Sequence, residues 1–136
     1  MEQRDFLMRE IERLSQILSK LTLKVSGLKA VDFKVIIKEV DDTLFTEFDL
    51  SLDNIITIDK PNLLEKIKNS DKVNIDLLIL LLSEIIEKIN NLEKRSNYDI
   101  VALSNKAIIL IDYLDKETKT FSIERMNLKK KLLAVV

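Results

Sequence analysis

The residues of this chain able to do chemistry are carboxylates, lysines, tyrosines and hydroxyls, because its 136 residues include no histidine and no cysteine. Those two side chains most readily serve as base, nucleophile or zinc ligand near neutral pH. Their absence removes the usual nucleophilic triads. A single glycine, Gly27, likewise removes the glycine-rich loops of phosphate and dinucleotide sites. The segment from Asp49 offers oxygen ligands at the first, third and fifth positions of a calcium loop (Asp49, Ser51, Asp53) and an apolar eighth, Ile56. Its sixth position is Asn54 in place of glycine, and its twelfth is Lys60 where a bidentate glutamate is required. Lysine there puts a cation where the strongest anionic ligand belongs, so the segment reads as a capped acidic loop. Carboxylate metal sites in helical bundles pair glutamate with histidine, which this chain lacks. Asp41 and Asp42 could supply the paired carboxylates of glycoside chemistry, but read as solvent-exposed. The run Lys129-Lys130-Lys131 has no interleaved aromatic or arginine of a nucleic-acid surface and reads as a charged helix end. No catalytic, cofactor-binding or metal-ligating residue is assigned.

Composition bounds the rest. The length suits one helical domain, residues 1–136, with a sizeable core. A net charge of −1 gives no overall field pointing to nucleic acid or an anionic membrane. Charge is nevertheless uneven: Glu39, Asp41, Asp42, Glu47, Asp49, Asp53 and Asp59 follow one another with no lysine or arginine among them. Solvated helix faces account for this run, or else a head-to-tail contact between the acidic stretch and the basic C-terminal end. The most apolar run, Leu77 to Leu82, is far shorter than the roughly 20 residues of a membrane span. The start, Met1 to Asp5, carries both charge signs and leads into an amphipathic helix, so no secretory leader is expected. By elimination the expected location is the cytoplasm.

Long uninterrupted elements must position these side chains, since the chain has one glycine and one proline. The clearest is the first. Leu7, Ile11, Leu14, Leu18, Leu21, Val25 and Leu28 recur at alternating spacings of four and three, a heptad seam widened by Met8 and Ile17. Gly27 is expected to end this helix in the left-handed conformation, with Leu28 against Leu23; continuation through it would cost about 1 kcal/mol. Residues 31–40 alternate like a strand at Val31, Phe33, Val35 and Ile37. Phe33, Ile37, Val40, Leu44 and Phe48 carry a three-to-four spacing further, which predicts a helix. Ser51 is expected to cap a short turn over 53–57, and Asp59 a helix with Pro61 in its first turn. A helix over 73–94 follows, apolar nearly all round in its first half. A polar break at 95–97 leads into a helix over 98–116 burying Val101, Ala107, Ile108, Ile111 and Leu114. Pairs one turn apart, Asp112 with Lys116 and Asp115 with Lys119, are expected on its outer face. Ser122 caps the last helix, with Phe121 and Met126 as a hydrophobic staple.

Two stretches carry a resemblance. Asp5-Phe6-Leu7-Met8-Arg9-Glu10-Ile11-Glu12 with the Gly27-Leu28-Lys29 break, and Ile111-Asp112-Tyr113-Leu114-Asp115 with Lys119 to Arg125, resemble a family of small, uncharacterised, all-helical bacterial proteins. That family is tetratricopeptide-like in part and has no established function. The resemblance implies paired antiparallel helices and brings no activity. A clean 34-residue repeat and the tryptophan-based tetratricopeptide signature are both missing here.

The expected fold is all-α: antiparallel helix hairpins, about five main helices plus one short turn, in a tetratricopeptide-like or bundle arrangement. The expected function is a non-catalytic protein-interaction or scaffold module with no cofactor, whose partner the sequence does not name. The seam residues Leu7, Ile11, Leu14, Leu18 and Leu21 are the candidate interaction surface. β-Branched residues at two of three a positions and leucine at every d favour two-stranded pairing, hence a homodimer through the first helix. The same stripe would equally pack inside its own domain against the helix after Gly27. Phe45, Phe48, Tyr98 and Tyr113 are candidate anchors. The alternative function is a small-ligand binder or enzyme using carboxylates in a cavity between helices.

Overall fold

The computed structural model describes residues 2–27, 32–92, 98–119 and 122–136. Among the described residues there are seven helices and no strand: α1 (Glu2–Ser26), α2 (Phe33–Phe48), α3 (Leu52–Thr57), α4 (Lys60–Ile67), α5 (Lys72–Leu92), α6 (Ile100–Thr118) and α7 (Ile123–Val135). Five are long and two, α3 and α4, are short.

The strand-or-helix ambiguity resolves to helix over its described part. Phe33, Ile37, Val40, Leu44 and Phe48 form the buried stripe of α2, while Val35, which a strand would place beside Phe33 and Ile37, faces solvent. Burial of a stripe along all sixteen residues of α2 outweighs a short β-like alternation. Val31 lies outside the described residues.

Helix ends follow local chemistry at most positions. The Ser51 hydroxyl accepts from the Asn54 amide while the Asn54 side chain accepts from the Ser51 amide, a reciprocal box that starts α3. Asp59 caps α4 through the Asn62 amide at 2.9 Å, with Pro61 in the first turn. Ser122 caps α7 through the Arg125 amide; Phe121, the other half of the expected staple, lies outside the described residues. α1 ends at Ser26, where Gly27 is expected to stop it, but the expected left-handed conformation is not found. No glycine has positive φ, and the Gly27 amide continues the helical ladder to the Leu23 carbonyl at 3.0 Å. The contact expected at Leu28 lies outside the described residues. The left-handed positions are instead Asp49 (φ 57°), which ends α2, and Lys119 (φ 53°), which ends α6.

The core is built around α5. It packs most extensively on α1 and next on α6; α2 lies on α1, α7 on α6, and α3 and α4 against α6. Ion pairs fix the directions. Arg13 meets Glu47 and Lys24 meets Glu39, so α1 and α2 are antiparallel. Asp112 meets Lys129 and Asp115 meets Arg125, so α6 and α7 are antiparallel. Asp76 near the start of α5 and Asp115 near the end of α6 share Arg125, which makes α5 and α6 antiparallel too. The α1–α5 pairing is parallel: Asn74, in the first turn of α5, touches Ile11 and Ser15, and the buried residues of both helices lie C-terminal to that contact. The main neighbour of α1 is therefore α5, and the expected packing against the helix after Gly27 is the lesser one.

The buried face of α6 also differs from expectation. Leu103, Ala107, Leu110, Ile111 and Leu114 point inward, Ile108 is half-buried and Val101 is exposed. At about 100° per residue Val101 falls roughly opposite Leu103, so one helix cannot bury both on a single neighbour. Asp112 and Asp115 turn to α7 and pair with Lys129 and Arg125, in place of the expected partners one turn away on α6.

Candidate interaction surface

The heptad seam of α1 is split by the structure into a buried and an open end. Leu18 and Leu21 are 0% and 3% exposed and belong to the core; Ile11 and Leu14 are half-buried; Leu7 is 59% exposed. Flanking Leu7, Phe6 and Met8 are 61% and 60% exposed, and Val73 is exposed at the same end of the bundle. The split has a structural cause. The buried Asn74 side chain donates to the Ile11 carbonyl at 3.1 Å and to the Ser15 hydroxyl at 2.8 Å, and Ser15 in turn donates to the Ile11 carbonyl. This pins the first turn of α5 beside residues 11–15 of α1. Since the helices run parallel, residues before 11 extend past the start of α5 and have no α5 surface beside them.

Arg13 holds the same region from the other side. Its guanidinium donates to both carboxylate oxygens of Glu47 at 2.9 and 3.0 Å and to Glu10 at 3.2 Å. The Glu47 hydrogen bond foremost, and then that to Glu10, raise its pKa further above the usual arginine value. The fork geometry gives α1 a fixed orientation on α2.

The acidic stretch is largely absorbed within the fold. Glu39 pairs with Lys24, Glu47 with Arg13 and Asp49 with Lys66, and Asp59 caps α4. Asp41 accepts from the Leu52 amide at 2.7 Å and from the Tyr98 hydroxyl. Burial raises its pKa above the ordinary 3.8, and the nearby charges of Asp53 and Asp42 push the same way against those two hydrogen bonds. The Tyr98 pKa is raised as well, by burial first and then by the Asp41 and Asp53 charges. Lys106 reaches from α6 to the Ile55 and Ile56 carbonyls, so the six-residue α3 is held at both ends. At the basic end Lys129 is engaged by Asp112, within its own helix hairpin and away from the acidic stretch.

The calcium-loop test segment is thus a left-handed turn followed by a capped helix. Among the described residues no three carboxylates converge on one point, and no helix is long and apolar enough to cross a membrane. Of the proposed anchors, Phe48 is core, Tyr98 and Tyr113 are half-buried, and Phe45 is exposed.

Sequence reasoning missed the polar hub of the molecule. Arg125, only 7% exposed, donates from Nε to Asp115 at 2.7 Å and from one terminal nitrogen to both oxygens of Asp76 at 3.0 and 3.1 Å. Its burial works against the charged form, but the hydrogen bonds to Asp115 and Asp76 outweigh it and the pKa stays raised. One side chain therefore ties α5, α6 and α7 together. Ser104, fully buried on α6, is the opposite case: its hydroxyl has no hydrogen-bond partner among the described residues. No known protein family, no curated protein and no solved structure matches this chain.

Proposed function

We propose that this protein is a non-catalytic helical interaction module and that the open end of α1 is its binding surface, occupied by a second copy of the chain. The observation that carries the reading is the exposure of Leu7 on the same heptad seam that buries Leu18 and Leu21. A stripe patterned for pairing that runs past the start of α5, its main partner among the described residues, is a natural place for a second copy. The lack of histidine and cysteine supports the non-catalytic half of the reading. The antiparallel α1–α2 and α5–α6 pairs support stacked helix hairpins of a tetratricopeptide-like kind.

Area sets the expected strength. Covering Phe6, Leu7 and Met8 on both copies is worth about 7 kcal/mol of apolar transfer at their observed exposure. Association itself costs at least about 4 kcal/mol. The surplus of about 3 kcal/mol makes the dimer weak, with a dissociation constant of a few millimolar. Sedimentation velocity across that range tests it. Wild type should shift toward dimer with concentration. Leu7→Lys should stay monomeric with an unchanged melting temperature, because Leu7 is outside the core. A wild type that stays monomeric at millimolar concentration, or a Leu7→Lys protein that dimerises equally well, refutes the proposal.

A further inference from the structure

Opposite charges that face each other across helix seams in this protein close into ion pairs: Arg13 with Glu47 and Lys24 with Glu39 between α1 and α2, Lys129 with Asp112 between α6 and α7, and Arg125 with Asp76 and Asp115. One seam breaks the pattern. Between α5 and α7 lies a groove of about 340 Å³ lined by residues of those two helices. Its floor is apolar, with Ile86 and Leu132 each 2% exposed and Leu128 half-buried. Glu84 and Glu87 stand on the α5 rim and Lys131 on the α7 rim, and among the described residues none of the three forms an ion pair or side-chain hydrogen bond. Asn90, one turn beyond Glu87 on the same rim, is equally unengaged among the described residues.

An apolar floor under a rim of unspent polar groups is the composition of a small-ligand pocket, and the volume lies at the small end of that class. Charge selects the ligand. Two carboxylates against one ammonium leave the rim with a net charge of −1 (one minus two), so the complementary guest is a cation. Glu84 and Glu87 are three residues apart, which puts both on one side of α5 and within reach of a single ammonium group. Lys131 on the opposite rim disfavours a second positive charge at the far end. Two carboxylates are too few for calcium, which takes six to eight oxygens. We propose that the α5–α7 groove binds a small organic monocation, a primary ammonium on an apolar body, with the ammonium between Glu84 and Glu87 and the body on Ile86, Leu128 and Leu132. The site is independent of the α1 surface.

Calorimetric titration of the full chain with 2-phenylethylammonium, 2-phenylethanol and phenylacetate tests the assignment with three guests of one shape and different charge. The ammonium should bind saturably and about fivefold or more tighter than the alcohol, the gain expected of two partly exposed charge contacts. The anion should bind more weakly than the alcohol. Glu84→Gln with Glu87→Gln should bring the ammonium to the level of the alcohol and leave the alcohol unchanged. Both residues sit on the rim, so an unchanged melting temperature confirms that the fold is intact. Lys131→Gln should tighten ammonium binding. Equal affinities for the three guests, heats that never saturate, or an ammonium preference that survives the double substitution would each overturn the proposal.

Discussion

Replacing Arg125 should unfasten three helices at once. The guanidinium makes three close hydrogen bonds to carboxylates on α5 and α6 from a side chain that is almost fully buried. A hydrogen bond to a charged group contributes about 1.5–3 kcal/mol when both partners are dry. Here Asp76 and Asp115 keep 43% and 32% of their side-chain surface in water. They rehydrate when the arginine leaves, which brings each of the two pairs just below that range, to about 1–1.5 kcal/mol. Arg125→Met, which retains the apolar stem, is therefore expected to cost about 2–3 kcal/mol. Arg125→Ala adds lost packing of the stem and should approach 4–5 kcal/mol. Arg125→Lys keeps the charge but not the fork, and should fall between wild type and methionine. Urea denaturation followed by circular dichroism measures these differences. Double-mutant cycles with Asp76→Asn and Asp115→Asn should return coupling energies of about 1 kcal/mol each. If Arg125→Met is as stable as wild type within 0.5 kcal/mol, the triad is energetically neutral against an apolar isostere and the argument fails.

Three further outcomes are expected. Gly27→Ala should stabilise by about 0.4–1 kcal/mol, since its φ is not positive and among the described residues a Cβ would meet the Leu23 carbonyl oxygen at an ordinary 3.5 Å; a loss of stability in urea would show a strained site. Ser104→Ala should stabilise by about 1 kcal/mol by removing a buried hydroxyl without a partner among the described residues, and a thermal melt shifted downward would contradict it. Asp41 has a raised pKa, so the fold binds its proton more tightly than the unfolded chain, and stability from this group declines as pH rises through the window just above 3.8. The stability of Asp41→Asn relative to wild type should therefore grow over that window and level off by neutral pH; a flat or falling difference in urea titrations refutes it.

What could be read from the sequence was local. Apolar stripes of period 3.6 marked the helices, and the capping residues Ser51, Asp59 and Ser122 announced three starts because a short side-chain oxygen beside an apolar run satisfies free amides. Gly27 marked the end of α1 but not its conformation, because glycine permits the left-handed region without requiring it. Asp49 and Lys119, which do adopt it at the ends of α2 and α6, are not glycines, so a search for glycine passes them over. Arg125 reads in sequence as one more solvated cation. Its role comes from Asp76 and Asp115, 49 and 10 residues away. The interaction seam was visible as a pattern, but its division into core and open end was not. That division depends on where α5 begins and on Asn74 reaching Ile11 across 63 residues, which no local spacing encodes.

The most direct test of the proposed self-association uses the absence of native cysteine, which lets a single introduced one report without ambiguity. Met8→Cys, on the open end of α1, and Leu133→Cys, exposed on α7, should be oxidised side by side over a range of protein concentrations. Pairing through α1 predicts rapid, concentration-dependent disulfide dimers at position 8 and few at position 133. Equal rates at the two positions, or none at either, would contradict it.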